Sequence, residues 1–283
     1  MLIIAKPAYK STNNSNILKR ASFISACLSC ALASPAFAFQ PLITDDTGTQ
    51  GTGGNQLEFS YNHDRERSAG ETTRTTTVPG VYTRGLTDTL DVFVSANHTR
   101  VRTNDPASNV SGGGNPSFGA KWRFYENEAS KLSFGVKPEI TLPVSTSKEI
   151  QGFGAGKTSY GLTFILTKEV SFGAVHANFF AGRDRFRESS KITNTDLADT
   201  TTTRASIAPT WDVTDKWKLA LDVGSESAKA DNVRTRTDFA EIGVIFAPNE
   251  DLEFALGIIR SIDDQQPKTG VTSATLGVTW RFK

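Results

Sequence analysis

The sequence holds two cysteines, one methionine and three histidines in 283 residues. Both cysteines, Cys27 and Cys30, lie near the N-terminus, so the rest of the chain has neither disulfides nor thiol chemistry to offer. The three histidines, His63, His98 and His176, share no ligand spacing, and no metal or other cofactor is expected. No apolar run is long enough to cross a bilayer as a helix, and the mean hydropathy is −0.31. That excludes transmembrane helices. It leaves transmembrane strands open, because their alternation averages out as moderately polar. Neither sign of charge dominates, with 31 Lys and Arg against 30 Asp and Glu, and no basic surplus points to nucleic acid.

What is present begins with a leader. Lys6, Lys10, Lys19 and Arg20 come without an acid among them, followed by an apolar stretch over residues 21–33 and then Pro35-Ala36-Phe37-Ala38. A basic start, a short apolar run and an A-x-A site make a signal peptide over residues 1–38, cleaved after Ala38. Acylation at Cys30 is the alternative, weakened by Cys27 standing where an aliphatic residue is wanted. Removing the leader takes 4 of the 31 basic residues and no acid, so the mature chain carries 27 minus 30, or −3. Its length, 283 minus 38 or 245 residues, suits one soluble domain or one barrel.

Residues 39–54 are rich in turn formers and lack periodicity, which predicts a periplasmic segment ahead of the first strand. From there the chain alternates with period 2. Leu57, Phe59 and Tyr61 oppose Glu58, Ser60 and Asn62; Leu90, Val92 and Val94 oppose Asp91, Phe93 and Ser95; Phe118, Ala120, Trp122 and Phe124 oppose Gly119, Lys121 and Arg123. The same pattern recurs to the C-terminus and predicts about twelve strands, near 56–63, 76–84, 89–100, 117–125, 132–142, 160–166, 175–181, 203–212, 217–223, 240–246, 252–258 and 271–283. The fold class is therefore all-β, and an even strand count is what single-chain bacterial barrels show.

The connections keep a rhythm of their own. Residues 85–88, 126–130, 168–169, 213–215 and 248–251 are tight, whereas 103–115, 145–157, 185–199 and 261–270 are long and polar or glycine-rich. Short and long in alternation is the arrangement of periplasmic turns and extracellular loops in a transmembrane antiparallel up-and-down β-barrel over residues 39–283. The rhythm also places Trp122, Trp211, Trp217 and Trp280 at one level near the periplasmic rim, where amphipathic rings collect.

The last strand puts Ala274, Leu276, Val278, Trp280 and Phe282 on one face. It resembles the closing strand of outer-membrane barrels, and that resemblance implies that Trp280 and Phe282 form an assembly signal read by barrel-assembly machinery. Lys283 departs from the pattern by following the aromatic. The stretch P-L-I-T-D-D-T-G-T-Q-G within residues 39–56, with P-G-V-Y-T-R-G-L-T-D at 79–88 and Thr141-Leu142-Pro143, resembles the family named for the meta-pathway of phenol degradation. That family is regarded as outer-membrane β-barrel transporters. The resemblance implies outer-membrane lipid around the chain and passage of small, aromatic or hydrophobic, solutes through it.

If the apolar face meets lipid, the lumen receives Glu58, Asp91, Glu139, Asp222, Glu241 and Glu253 together with Lys121, Arg123, Lys137, Arg204, Lys218 and Arg281. Two readings stand for them, an open channel or a mutually paired network that fills a narrow lumen. Phe93, Phe180 and Phe239 also point inward, to line an apolar path or simply to pack. Gly152-Phe153-Gly154-Ala155-Gly156-Lys157-Thr158 lacks the first glycine of a phosphate-binding loop, Gln151 standing in its place, and reads as a flexible loop. A hydrolase would need a base near a nucleophile. His63 and His98 fall near the outer rim, and Ser68 follows His63, but sequence does not bring them together. A passive channel is the expected function, with a structural or adhesive barrel of filled lumen, and less so an outer-membrane hydrolase, as alternatives.

Overall fold

In a computed structural model the described residues are 40–68, 71–187, 198–231, 233–265 and 268–283, so the expected leader lies outside them. Thirteen strands follow in chain order: β1 (Asn55–Ser68), β2 (Glu71–Thr87), β3 (Leu90–Arg102), β4 (Val110–Gly113), β5 (Ser117–Asn127), β6 (Leu132–Thr141), β7 (Lys157–Val170), β8 (Gly173–Arg185), β9 (Thr200–Asp212), β10 (Trp217–Ala230), β11 (Val233–Asn249), β12 (Leu252–Asp263) and β13 (Gly270–Phe282). β4 pairs only with β3, while the other strands follow one another around the wall in antiparallel pairs, β3 joining β5, and β13 returns to β1 from Asn55↔Phe282 to Arg67↔Gly270. Twelve strands therefore close into a barrel with no free edge, as hydrocarbon requires of every backbone N–H and C=O.

The two faces separate as the alternation predicts. Phe59, Tyr61, Val94, Trp122, Leu162, Phe179, Ile242, Leu256 and Leu276 stand exposed on the outer wall, while Glu58, Asp91, Lys137, Asp222 and Glu241 between such residues are buried. All four tryptophans are exposed at the end that carries the short turns. There Trp280 meets Phe282 and Trp217 meets Phe246 with ring centroids 4.6 Å apart. This is an aromatic girdle at the edge of the lipid belt.

At the opposite end the strands run further than the apolar pattern does. β1 continues to Ser68 and β10 to Ala230, because above the lipid belt both faces meet water and alternation is no longer needed. Threonine-rich runs such as 75–77 and 200–203 keep these extensions in strand conformation. The short β4 folds back on β3, with Val101↔Val110 through His98↔Gly113 in register.

The stretch 152–158, expected to be flexible, is packed instead. Phe153 and Ala155 are buried with Val144 and Phe186, and the Asn115 amide binds the carbonyls of Leu142 and Ala155. The short helix α1 (Thr146–Ile150) supplies Glu149. Its fully buried carboxylate accepts from the N–H groups of Gly156 and Arg187, at 2.9 and 2.8 Å, and from the Arg187 guanidinium at 3.3 Å.

Candidate functional site

The inward face of the barrel is built by strand parity and then reshaped by residues 40–54. This segment lies inside the barrel at the short-turn end and follows the wall around. Gln40 packs on Gly277 of β13, and Pro41 packs on Gly243 of β11 and Gly257 of β12. A Cβ at Gly257 would stand 2.8 Å from Pro41, so the inward glycines make room for the segment. Thr44 donates its N–H to Asp222 at 2.7 Å, and its hydroxyl reaches Asp222 on β10 and Ser206 on β9. Thr47 bonds Ser133 of β6 at 2.6 Å and Thr167 of β7 at 3.1 Å. Gln50 donates to Asp91 of β3, and Thr52 binds Asp88 in the β2–β3 turn. Gly51 and Gly53, at φ of 71° and 82°, then turn the chain out of the lumen into β1.

Charge fixes the middle of this course. Asp45, 2% exposed, holds Lys137 at 2.8 Å and Lys121 at 3.3 Å. Asp46 reaches Lys121 at 3.6 Å. Asn178 of β8, its amide oriented to suit, accepts from the Asp45 N–H at 2.6 Å. Two lysines and two aspartates thus meet in a region shielded from solvent, where each charge depends on its partner. Leu42 adds an apolar contact, packing with inward Ala208 and Ala220. The Asp88 carboxyl, outside the spanning strands, is held below its ordinary value by the hydroxyl and N–H of Thr52.

Between segment and wall a cavity of about 260 Å³ remains. Gln40, Asp45, Asp46, Glu58, Asp91, Lys121, Lys137, Glu253 and Arg281 line it together with Phe93. Arg281 binds Glu253 at 3.0 Å and Gln56 at 3.0 Å.

The remaining expected residues fall into groups. Phe93, Phe180 and Phe239 do point inward, each lying on a glycine of an adjacent strand: Gly119 for Phe93, Gly161 for Phe180 and Gly224 for Phe239. The rings lie along the wall, and two carry cations, with Lys137 5.1 Å from Phe93 and Arg204 5.2 Å from Phe180. Arg204 also pairs with Glu226 at 3.2 Å. Glu139 lies beside Phe180 and Asp184 in a higher recess. Glu241 is fully buried beneath Pro41. Arg123 and Lys218 sit at the short-turn rim, where Arg123 holds the Asp88 carbonyl and Lys218 pairs with Asp212 at 3.3 Å. The histidines do not converge: His63 meets Thr76, His98 meets Ser111 at 2.9 Å, and His176 meets Thr167.

Sequence reasoning passed over Asp45, Asp46, Thr44 and Leu42, because an aperiodic stretch carries no face. A signal did exist on the strands. Ile165, Ala208, Ala220 and Ile245 occupy inward positions and are buried, so the apolar runs 164–166, 207–208, 219–221 and 244–246 break the alternation where an inner partner is required.

Among curated proteins none matches the sequence. Solved structures share the fold. An outer-membrane channel from Pseudomonas putida F1 matches with a TM-score of 0.65 at 16% identity, over 84% of this chain and 98% of that one. The transport unit of the autotransporter AIDA-I from Escherichia coli matches with a TM-score of 0.51 at 10% identity, over 93% and 97%. The NanC porin matches with a TM-score of 0.51 at 9% identity, over 78% and 98%. The chain itself matches one family along residues 42–282 and belongs to it: the family described as "Putative MetA-pathway of phenol degradation".

Proposed function

We propose that this barrel is a passive outer-membrane channel for small solutes of aromatic or weakly polar character, with its short-turn end in the periplasm. The observation that carries this reading is the lumen itself, which the inserted segment narrows without filling. The cavity of about 260 Å³ is about the share of eight or nine liquid waters, on the order of a single-ring solute with some hydration. Its wall offers both Phe93 and paired charges, so a solute with an apolar ring and one polar group finds partners for each part.

The description of the family and the fold of the Pseudomonas putida channel support the same direction. We propose no catalytic role for His63, His98 or His176, whose partners are hydroxyls on the neighbouring strand. Trp280 and Phe282 are proposed as the signal for barrel-assembly machinery, and Phe282→Ala is expected to lower the amount of assembled barrel. Heat-modifiable gel migration of membrane fractions measures that amount, and unchanged assembly would remove the signal from these residues.

The channel reading is tested by uptake of phenol and benzoate into liposomes whose outer leaflet contains lipopolysaccharide, which slows passive leak. Faster uptake with the protein than without it is expected. Uptake equal to that of empty liposomes, both for the natural chain and for Asp45→Ala, would leave the lumen a structural filling.

A further inference from the structure

Above the lipid belt the outer wall changes character on one side. Arg65 on β1 lies directly opposite Arg74 on β2, and Arg74 lies directly opposite Arg102 on β3. Arg260 on β12 stands one strand beyond in the other direction, across Thr272 of β13, which also pairs with Arg65. Arg100 lies two residues below Arg102 on the same face. All five are exposed.

Like charges directly opposite on adjacent strands destabilise a sheet, and neighbouring strands are only about 4.8 Å apart. Among the described residues no acid relieves the row. The ion pairs at this level of the outer wall are Arg183 with Asp199 and Arg236 with Asp238, and none of the five belongs to either. Arg260 bonds the Thr272 hydroxyl. Asp105, in the loop above, is taken by Ala107 and Ser108.

Height decides what such a row meets. Arg65 stands 65 minus 57, or eight, residues beyond Leu57, which pairs with Trp280 of the aromatic girdle. Arg260 stands 260 minus 252, also eight, beyond Leu252, and Arg100 stands ten beyond Leu90, whose partner is Trp122. At about 3.3 Å per residue and a tilt near 40°, eight to ten residues rise about 20–25 Å, the height of a barrel's apolar band. The guanidinium groups therefore lie where acyl chains end and headgroups begin. Exposed Tyr61, Val94, Ile258 and Leu276 stand on the wall beneath them.

We propose that this face of β12, β13, β1, β2 and β3 binds the phosphate groups of a phosphorylated glycolipid of the outer leaflet, with its acyl chains on the apolar wall below. The assignment rests on the orientation given under Proposed function but not on any solute passing through the lumen. Guanidinium forks match phosphate oxygens in pairs. Because the cations belong to the protein and no carboxylate intervenes, the contact needs no bridging divalent ion.

Native mass spectrometry of the detergent-solubilised protein tests this with hexa-acylated lipid A as the probe, in its bisphosphorylated and dephosphorylated forms and with excess chelator. Bisphosphorylated lipid A is expected to stay bound in chelator and the dephosphorylated form to be lost. With each arginine near a charged surface contributing about fivefold, Arg65→Gln/Arg74→Gln/Arg102→Gln should weaken binding by about a hundredfold. Equal retention of the two lipid forms by the unaltered protein would overturn the proposal whether or not the triple variant folds. So would undiminished binding by a triple variant that migrates as a folded barrel, or equal retention of phosphatidylglycerol.

Discussion

The two ends of this barrel are built by opposite means. At the short-turn end a polar segment enters the lumen and is held by Asp45 between Lys121 and Lys137 and by hydroxyl contacts to Asp222, Ser133 and Thr167. At the long-loop end Val144, Phe153, Ala155 and Phe186 are each buried, and one carboxylate, Glu149, ties the backbone of Gly156 and Arg187. The first depends on charges that each need a partner in a shielded place. The second combines buried apolar side chains with a carboxylate that holds backbone N–H groups. A perturbation of charge should thus loosen the lower end and leave the loop packing at the upper end intact.

The largest expected effect is that of Asp45→Ala. It leaves Lys121 and Lys137 without their shared anion, a loss of about 3 kcal/mol in docking of the segment, toward the low end for a broken buried pair because water in the cavity can reach the lysines. Hydrogen exchange should rise at the amides of Thr44, Thr47 and Gln50, which bond Asp222, Thr167 and Asp91, and stay unchanged at Gly156. Exchange rising equally at both ends would show one cooperative unit rather than two.

Leu42→Ala comes next, at about 2–3 kcal/mol for a buried leucine. It should raise exchange at the same amides while the lysine–aspartate contacts persist. No rise would mean that the polar contacts alone hold the segment. Glu149→Ala is the complementary break. The N–H groups of Gly156 and Arg187 lose their acceptor, at about 1–3 kcal/mol, and proteolysis should speed at residues 145–157 with no change at residues 40–52. The smallest effect is acidic. The depressed Asp88 carboxyl contributes stability in full above its ordinary value of 3.8, and that contribution fades as pH falls through the lowered one. Cleavage of residues 40–52 by an acid protease should therefore quicken as pH drops below about 4. Asp88→Asn should flatten that pH dependence, and an unaltered slope would place the acid response elsewhere.

These contrasts also mark what the sequence makes legible. The wall is written locally: Leu57, Phe59 and Tyr61 against Glu58, Ser60 and Asn62 announce a strand and its lipid face within a few residues. The girdle is legible too, because four tryptophans recur at one phase of the turn rhythm. The inserted segment is not, since Thr44 meets Asp222 across 178 residues of chain and nothing periodic in residues 40–54 points to a wall. Its trace is indirect, in Ile165 and Ile245, which break alternation where an inner partner lies. Phe153 was hidden for a related reason. Set among glycines it reads as a loop, and its ring lies against Gly112 of β4, a partner distant in the chain.

Single-channel recording in planar bilayers, comparing the natural chain with Asp45→Ala at neutral pH, bears on the central claim most directly. With the lumen narrowed at its lower end by the inserted segment, the natural chain should conduct ions weakly, and Asp45→Ala should conduct more and open more often. Equal conductance in the two, with the variant assembled, would contradict a lumen whose lower end is narrowed by this segment.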